Sequence, residues 1–568
     1  MAFSGAVKIG DLNDFIAPSQ ACVVSLQGGK LDPAADAEVQ LQQRPRGGAA
    51  GFSQTLPAAP DQAVKVSLHD CLACSGCVTT AETVLLQHQS TGELLQRLAD
   101  PGWTVLVSLS PQSVAALAAL HGLPAADCGA ALAAFLRGLG VRAVFDAAAA
   151  RHLALAEAAT EFVQRYRASA RGAAALAAAA ASGNAAASAS ASAAAAAHNG
   201  YAMDVDEAEA GPQQAAAGSA AAAVGGPLPM LASACPGWVC YAEKTHGDHV
   251  LPYISTGKSP QAVMGTLVKR RWCSAAGLAP DRVYHCAVMP CYDKKLEASR
   301  EDFWLPGTQV PETDCVLATT ELQELLEQRG VDLRSLQGVP FDSILGCAGG
   351  ASNGWQGGTQ PQDVQQQQAQ QAQQAQQQQP AGPGSMVPAC SGSGGYLEHV
   401  FRAAAWQLFG QQLPPSTLQM TVGRNADLRE AVLTVDGVPV LRFAAAYGFR
   451  NIQGLMRKVK LGRCEYDYVE VMACPSGCLN GGGQPKPRAG QSAAQLLEQL
   501  EVLYAGAGGT SGGSSACSSG REPEAELAVQ QLYAEWVQGP PGSAAARQLL
   551  HTQYHKREKT VTATLADW

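Results

Sequence analysis

The stretch that most restricts this chain is residues 470–484, Glu-Val-Met-Ala-Cys-Pro-Ser-Gly-Cys-Leu-Asn-Gly-Gly-Gly-Gln. Before it, residues 466–471 are β-branched and aromatic and read as a buried strand. Cys474 and Cys478 then sit four apart in a Pro/Gly turn. The three glycines let backbone approach something bulky without a Cβ clash, and a helix is expected from about residue 491. Two thiols on a tight loop at a strand end suit a metal cluster held by thiolates. The ordinary alternative is a turn with two inert, buried cysteines.

The chain has 568 residues, enough for several domains, and 17 cysteines. Residues 1–30 show no basic start followed by an apolar run, and no apolar run is long enough to span a bilayer. The expectation is a soluble, intracellular protein without a membrane partner. In that compartment clustered cysteines read as metal ligands or catalytic thiols rather than disulfides. A formal net charge of −9 argues against nucleic acid as a partner. The local basic run Lys269-Arg270-Arg271 is expected to be a solvated helix face.

In order, residues 103–109 and 141–145 read as buried strands, and 81–98, 113–120, 128–139 and 152–166 as helices. Strand–helix alternation implies an α/β layer with parallel strands. Residues 171–226 (Ala-rich) read as a disordered or loosely helical insertion, 356–389 (Gln-rich) as a disordered insertion and 505–523 (Gly/Ser) as a linker. They divide the chain into a cluster segment at 1–100, a body at 101–170, 227–355 and 390–504, and a tail at 524–568. Within the body, 283–289 and 314–318 read as strands, and 432–446 as a hairpin turning at Asp436-Gly437.

Cys71, Cys74 and Cys77 form C-x2-C-x2-C. A loop with thiols every third residue wraps three corners of a 4Fe–4S cubane, and the fourth ligand must be remote. Cys22 is the only cysteine upstream. A zinc site would more often use two separated C-x2-C pairs. Cys235, Cys291, Cys474 and Cys478 form a second set, each in a Pro- or Gly-bearing loop after a strand, where open α/β sheets place their sites. On the residues alone, nine other cysteines compete with this set; of these, Cys286 and Cys315 read as core. Thr256-Gly257-Lys258-Ser259 lacks the earlier glycine of a phosphate loop, and Pro252 stands in its place. His551 and His555 lack the metalloprotease context and read as a satisfied structural pair.

Ala234-Cys-Pro-Gly-Trp238, Met289-Pro-Cys-Tyr-Asp-Lys-Lys295 and the 470–484 loop together resemble the three signature loops of iron-only hydrogenases. The resemblance implies an α/β, hydrogenase-like body of two sheet subdomains flanked by helices, with a small N-terminal ferredoxin-like cluster segment. It implies that Cys235, Cys291, Cys474 and Cys478 hold one 4Fe–4S cluster. In hydrogenases the residue matching Cys478 also bridges to a two-iron centre, and the one matching Lys294 contacts a diatomic ligand there. The first loop departs from the pattern: Ala234 stands where hydrogenases carry a proton-donor cysteine. An acid within reach is a requirement of hydride chemistry.

The N-terminal Phe3-Ser-Gly-Ala and Asp11-Leu-Asn-Asp-Phe-Ile-Ala-Pro-Ser-Gln20, with the cysteine triplet, narrow the resemblance. They point to the eukaryotic hydrogenase-like branch of cytosolic iron–sulfur assembly (nuclear prelamin A recognition factor-like). That branch implies two 4Fe–4S clusters, the first at Cys22, Cys71, Cys74 and Cys77, and no hydrogenase activity. It implies a cytoplasmic adaptor with nuclear as well as cytosolic clients. The adaptor would link scaffold P-loop ATPases to a targeting complex that includes a WD40 propeller. Asp567 and Trp568 resemble the acidic-aromatic tail that docks there, an anchor of large apolar area beside negative charge.

Overall fold

The structure is a computed structural model that describes residues 88–184, 186–189, 226–345, 392–413, 418, 420–423, 425–506 and 527–557. All of them belong to one compact unit within residues 72–568. Cys22, Cys71, Cys74, Cys77, Asp567, Trp568, the strand expected at 64–68 and most of the three low-complexity segments lie outside the described residues.

Two sheets organise the body. The first has four parallel strands: β1 (Thr104–Leu109), β2 (Ala143–Asp146), β4 (Val283–Met289) and β5 (Cys315–Ala318), in the order β2-β1-β4-β5. The second is mixed. It runs β3 (Met230–Ala232), β9 (Tyr468–Met472), β8 (Val438–Tyr447), β7 (Leu428–Val435), β6 (Thr421–Val422), with β3, β9 and β8 parallel and β7 and β6 antiparallel. β4 and β9 are buried at every residue, as continuous apolar runs covered on both faces should be. β7 alternates towards its end because one face meets solvent. Asp436 and Gly437 both take positive φ, at 51° and 79°, the geometry that lets a two-residue turn follow the strand twist.

The helices follow from local signals. Ser110 ends β1 and accepts a bond from the Ser113 amide, Pro111 fixes the first helical φ, and Gly122 closes the helix in the left-handed region. The helix Ala148–Ala168 is buried along most of its length. Its Phe162 packs on Phe443 and Tyr468 of the second sheet at ring-centroid distances of 4.8 and 5.6 Å. Cys286 and Cys315 are fully buried partners across β4 and β5, core residues as expected. Among the described residues, no single helix is long and apolar enough to cross a membrane.

One expectation is made definite and one changes. The Ala-rich segment starts as a regular helix, Ala170–Ala181, that buries Leu176 and Ala179. Alanine's helix propensity and the absence of bulk let it lie close to the body, and a Cβ at Gly172 would overlap the Tyr166 carbonyl. The basic run is no solvated face. Lys269 is 1% exposed and bonded to Asp314 at 2.8 Å, Arg270 pairs with Glu312 at 3.4 Å, and Arg271 donates to the Leu345 carbonyl at 2.6 Å. These cations are used to hold the fold.

Candidate metal centre

Three loops at the carboxyl ends of parallel strands carry the four body cysteines. Cys235 follows β3, Cys291 follows β4, and Cys474 and Cys478 follow β9, so both sheets contribute. Each loop has a local reason for its shape. Cys235 caps a short helix, Pro236–Tyr241, with its backbone extended and proline at the first helical position. After Cys474 the chain takes positive φ at Ser476 (60°) and Gly477 (79°) and closes into the turn Cys478–Asn480. Asp427 accepts the Ser476 amide at 2.7 Å, and Ser393 accepts the Cys478 amide at 3.1 Å. A Cβ at Gly477 would overlap the Ser393 hydroxyl.

The glycine run explains how the loops meet. Gly483 donates to the Pro290 carbonyl at 2.9 Å, and its own carbonyl accepts the Thr320 amide at 3.1 Å. A Cβ at Gly481 would overlap the Pro290 carbonyl, and one at Gly483 would stand 2.8 Å from the Ala318 methyl. The bulky thing these glycines approach is therefore the backbone of the Cys291 loop.

The four thiols lie near enough to act on one another's ionisation. Cys235 and Cys291 are buried, Cys474 and Cys478 half-buried. Desolvation raises all four thiol pKa values, that of Cys478 to about 12. Mutual repulsion adds to it: Cys291 is raised further by Asp293 and by each of the other three cysteines. Lys294 is the cation that opposes the effect at Cys235 and Cys478. Four neighbouring thiols that resist ionisation on their own are a donor set suited to a positive centre, because metal coordination deprotonates a thiol outright. Among the described residues, no group of three or more His, Cys, Asp or Glu is gathered for a single ion. A cubane asks for something wider, since each thiolate takes its own corner. The donor set fits that group.

The other side of Cys235 differs. Ala234 borders a cavity of about 10 Å³, space for roughly one water. Glu297, Arg300, Phe303 and Tyr554 line it. Lys294 Nζ is held by Glu297 Oε2 at 2.8 Å and by the Ser259 hydroxyl at 3.0 Å, and Ser259 itself donates to Glu297. Sequence reasoning missed Ser259, Glu297, Arg300, Ser393 and Tyr554. In the structure Ser259 caps the helix Pro260–Thr266, its hydroxyl accepting the Ala262 amide; the others had no local sign.

Lys258 pairs with Glu312 at 2.7 Å inside the core, so the phosphate-loop-like tetrad is structural. His551 and His555 do not form a pair. The helix ends at Leu550, so the i, i+4 spacing no longer places them on one face. His551 sits 2.8 Å from Glu157 and 2.7 Å from Thr256, whereas the His555 ring is exposed.

Residues 103–183 and 203–482 match the family of the iron-only hydrogenase large subunit, C-terminal domain, and residues 515–557 match the iron hydrogenase small subunit. Protein NAR1 of Arabidopsis thaliana is 39% identical over 573 residues, covering 100% of this chain and 99% of that relative. Cytosolic iron-sulfur assembly component 3 of Rattus norvegicus is 41% identical over 576 residues, with 100% and 99% coverage. Among solved structures, a variant of the [FeFe]-hydrogenase HydA1 from Chlamydomonas reinhardtii superposes with a TM-score of 0.57 at 23% identity. It covers 82% of this chain and 98% of its own.

Proposed function

From the premise that this chain belongs to the iron-only hydrogenase family, we propose that it is a cytosolic iron–sulfur assembly factor and not a hydrogenase. It holds one 4Fe–4S cluster on Cys235, Cys291, Cys474 and Cys478, and a second on Cys22, Cys71, Cys74 and Cys77. The observation that carries the reading is the contrast around Cys235: four thiols converge on one side, and on the other the hydrogenase proton donor is replaced by Ala234 and the space is filled. Full-length relatives named for iron–sulfur assembly support the same role.

The clusters would supply electron storage or transferable iron and sulfide. The chain's own residues do the rest. Gly481 and Gly483 bring the Cys291 and Cys478 loops into register. Lys294 offsets thiolate charge at Cys235 and Cys478, and is itself fixed by Glu297 and Ser259. The bridging role towards scaffold ATPases and a WD40-containing targeting complex, and docking through Asp567 and Trp568, belong to the same reading. So does a location that extends to the nucleus. A terminal tryptophan beside carboxylates is a compact anchor for an apolar pocket with an arginine.

Anaerobic reconstitution tests the assignment. The account expects about eight irons and two paramagnetic signals on reduction, since each cubane holds four. Zinc in place of iron, or robust hydrogen evolution after co-expression with hydrogenase maturases, would overturn it. Deletion of Trp568 is expected to abolish recovery of the targeting complex, and unchanged recovery removes the docking assignment.

A further inference from the structure

Residues 550–557 cross the body beside Cys235 as an extended strap held at two anchors. The upstream anchor is a short strand-like pairing. Lys258 donates to the Leu550 carbonyl at 2.8 Å, Gly257 and His551 form an antiparallel bridge, and Thr552 donates to the Thr256 carbonyl at 2.8 Å. His551 adds its contacts with Glu157 and Thr256. The downstream anchor gathers on Glu243, which is fully buried and bound through both oxygens to Arg300 at 2.8 and 2.9 Å. The His555 amide donates to the Glu243 carboxylate at 3.2 Å, the Arg557 guanidinium lies 3.2 Å from it, and the Arg557 amide donates to the Glu243 backbone carbonyl at 3.3 Å. Lys556 pairs with Asp248 at 2.8 Å.

Between the anchors Tyr554 is set into the cavity beside Ala234 and Cys235, with its ring 5.8 Å from the Arg300 guanidinium carbon. It is the one member of that lining contributed by the strap. With it in place there is room for about one water. The two anchors differ in kind. The upstream one is backbone pairing next to a buried glutamate. The downstream one ends in exposed side chains: Lys556 pairs with the exposed Asp248, an ion pair weak in water, and the half-exposed Arg557 reaches in to the buried Glu243. The strap is therefore built to peel from its carboxyl end without disturbing either sheet.

We propose that residues 551–557 form a removable cover over the four-cysteine centre, with Tyr554 as its plug. Release of the strap exposes the Cys235 side of the centre to solutes. This rests on the proposed cluster at Cys235, Cys291, Cys474 and Cys478. A cluster beneath a peelable segment exchanges through local opening, at a rate set by the population of the open form. Because the strap leads into the tail proposed to dock, a partner holding that tail would act on the same peelable end.

The test uses the full chain with Cys71, Cys74 and Cys77 replaced by alanine, so that iron is carried by the body alone. Iron loss to a ferrous chelator is followed anaerobically in this parent, in Tyr554→Ala, in Tyr554→Phe and in Arg557→Ala. Tyr554→Ala is expected to lose iron about tenfold faster than the parent and Arg557→Ala a few-fold faster, with Tyr554→Phe unchanged, as local opening predicts. Hydrogen exchange at residues 551–557 should speed up in Arg557→Ala, while β4 and β9 keep their protection. Equal iron loss in all four proteins, with the strap demonstrably loosened, overturns the cover. A parent that binds no iron overturns the cluster assignment instead, and with it the object the strap would cover.

Discussion

Cys235 stands between two regions built in opposite ways. On one side, towards Cys291, Cys474 and Cys478, its neighbours are thiols raised together by burial and mutual repulsion. On the other, Ala234 opens on a space that Tyr554, Arg300 and Glu297 reduce to about 10 Å³. The fold is shared with hydrogenases, and in this chain the four thiols adjoin an annex with room for about one water. The two can vary separately, because the thiol loops are fixed by strand ends and glycines and the annex by side chains and a distant strap.

The largest effect expected is on the thiol side. Cys474→Ala or Cys478→Ala should lose about half of the iron, four of roughly eight, and lower the unfolding temperature. Iron and sulfide analysis with calorimetry checks this, and full iron content would break the contrast. On the closed side, Glu243→Ala leaves the Arg300 guanidinium buried with part of its pairing gone. Removing one partner of such a pair costs about 3–5 kcal/mol, read by denaturant unfolding of the protein with Cys235 intact. A loss below about 1 kcal/mol would mean that the annex is not held by this network.

Gly483→Ala tests the loop contact itself. The added methyl meets Ala318 at 2.8 Å, so overpacking of about 1–3 kcal/mol is expected, with poorer iron retention. An unperturbed stability and full iron content would show that the loops tolerate separation.

The smallest effect is a pH slope. His285 lies on β4, the strand that delivers Cys291, and burial lowers its pKa to about 3. The folded state then binds fewer protons than the unfolded one between pH 6.5 and 3. Its contribution is complete above pH 6.5 and is lost as pH falls, by at most about 1.4 kcal/mol per unit. His285→Gln should flatten that slope in unfolding titrations from pH 7 to pH 5. An unchanged slope would place the acid sensitivity elsewhere.

Legibility in the sequence follows the range of the interactions. The buried strands, the Asp436-Gly437 turn and the cysteine loops were readable because period, turn chemistry and thiol spacing are local. The glycine run was read correctly as a close approach, but its partner, the Pro290 carbonyl, is far away in sequence. The strap was invisible for the same reason: the His555 amide finds Glu243 312 residues away. The i, i+4 spacing of His551 and His555 misled because it presumed a helix where the chain is extended. The run at Lys269 misled because charge in sequence says nothing of the buried Asp314 and Glu312 that answer it.

One measurement bears most directly on the four-thiol cage. In protein whose Cys22, Cys71, Cys74 and Cys77 are all replaced by alanine, anaerobic reconstitution should leave about four irons and four sulfides per chain. A single reduced-state paramagnetic signal should accompany them and disappear on the further change Cys291→Ala. Iron-free or zinc-loaded protein, or a signal that survives the loss of Cys291, would contradict the account.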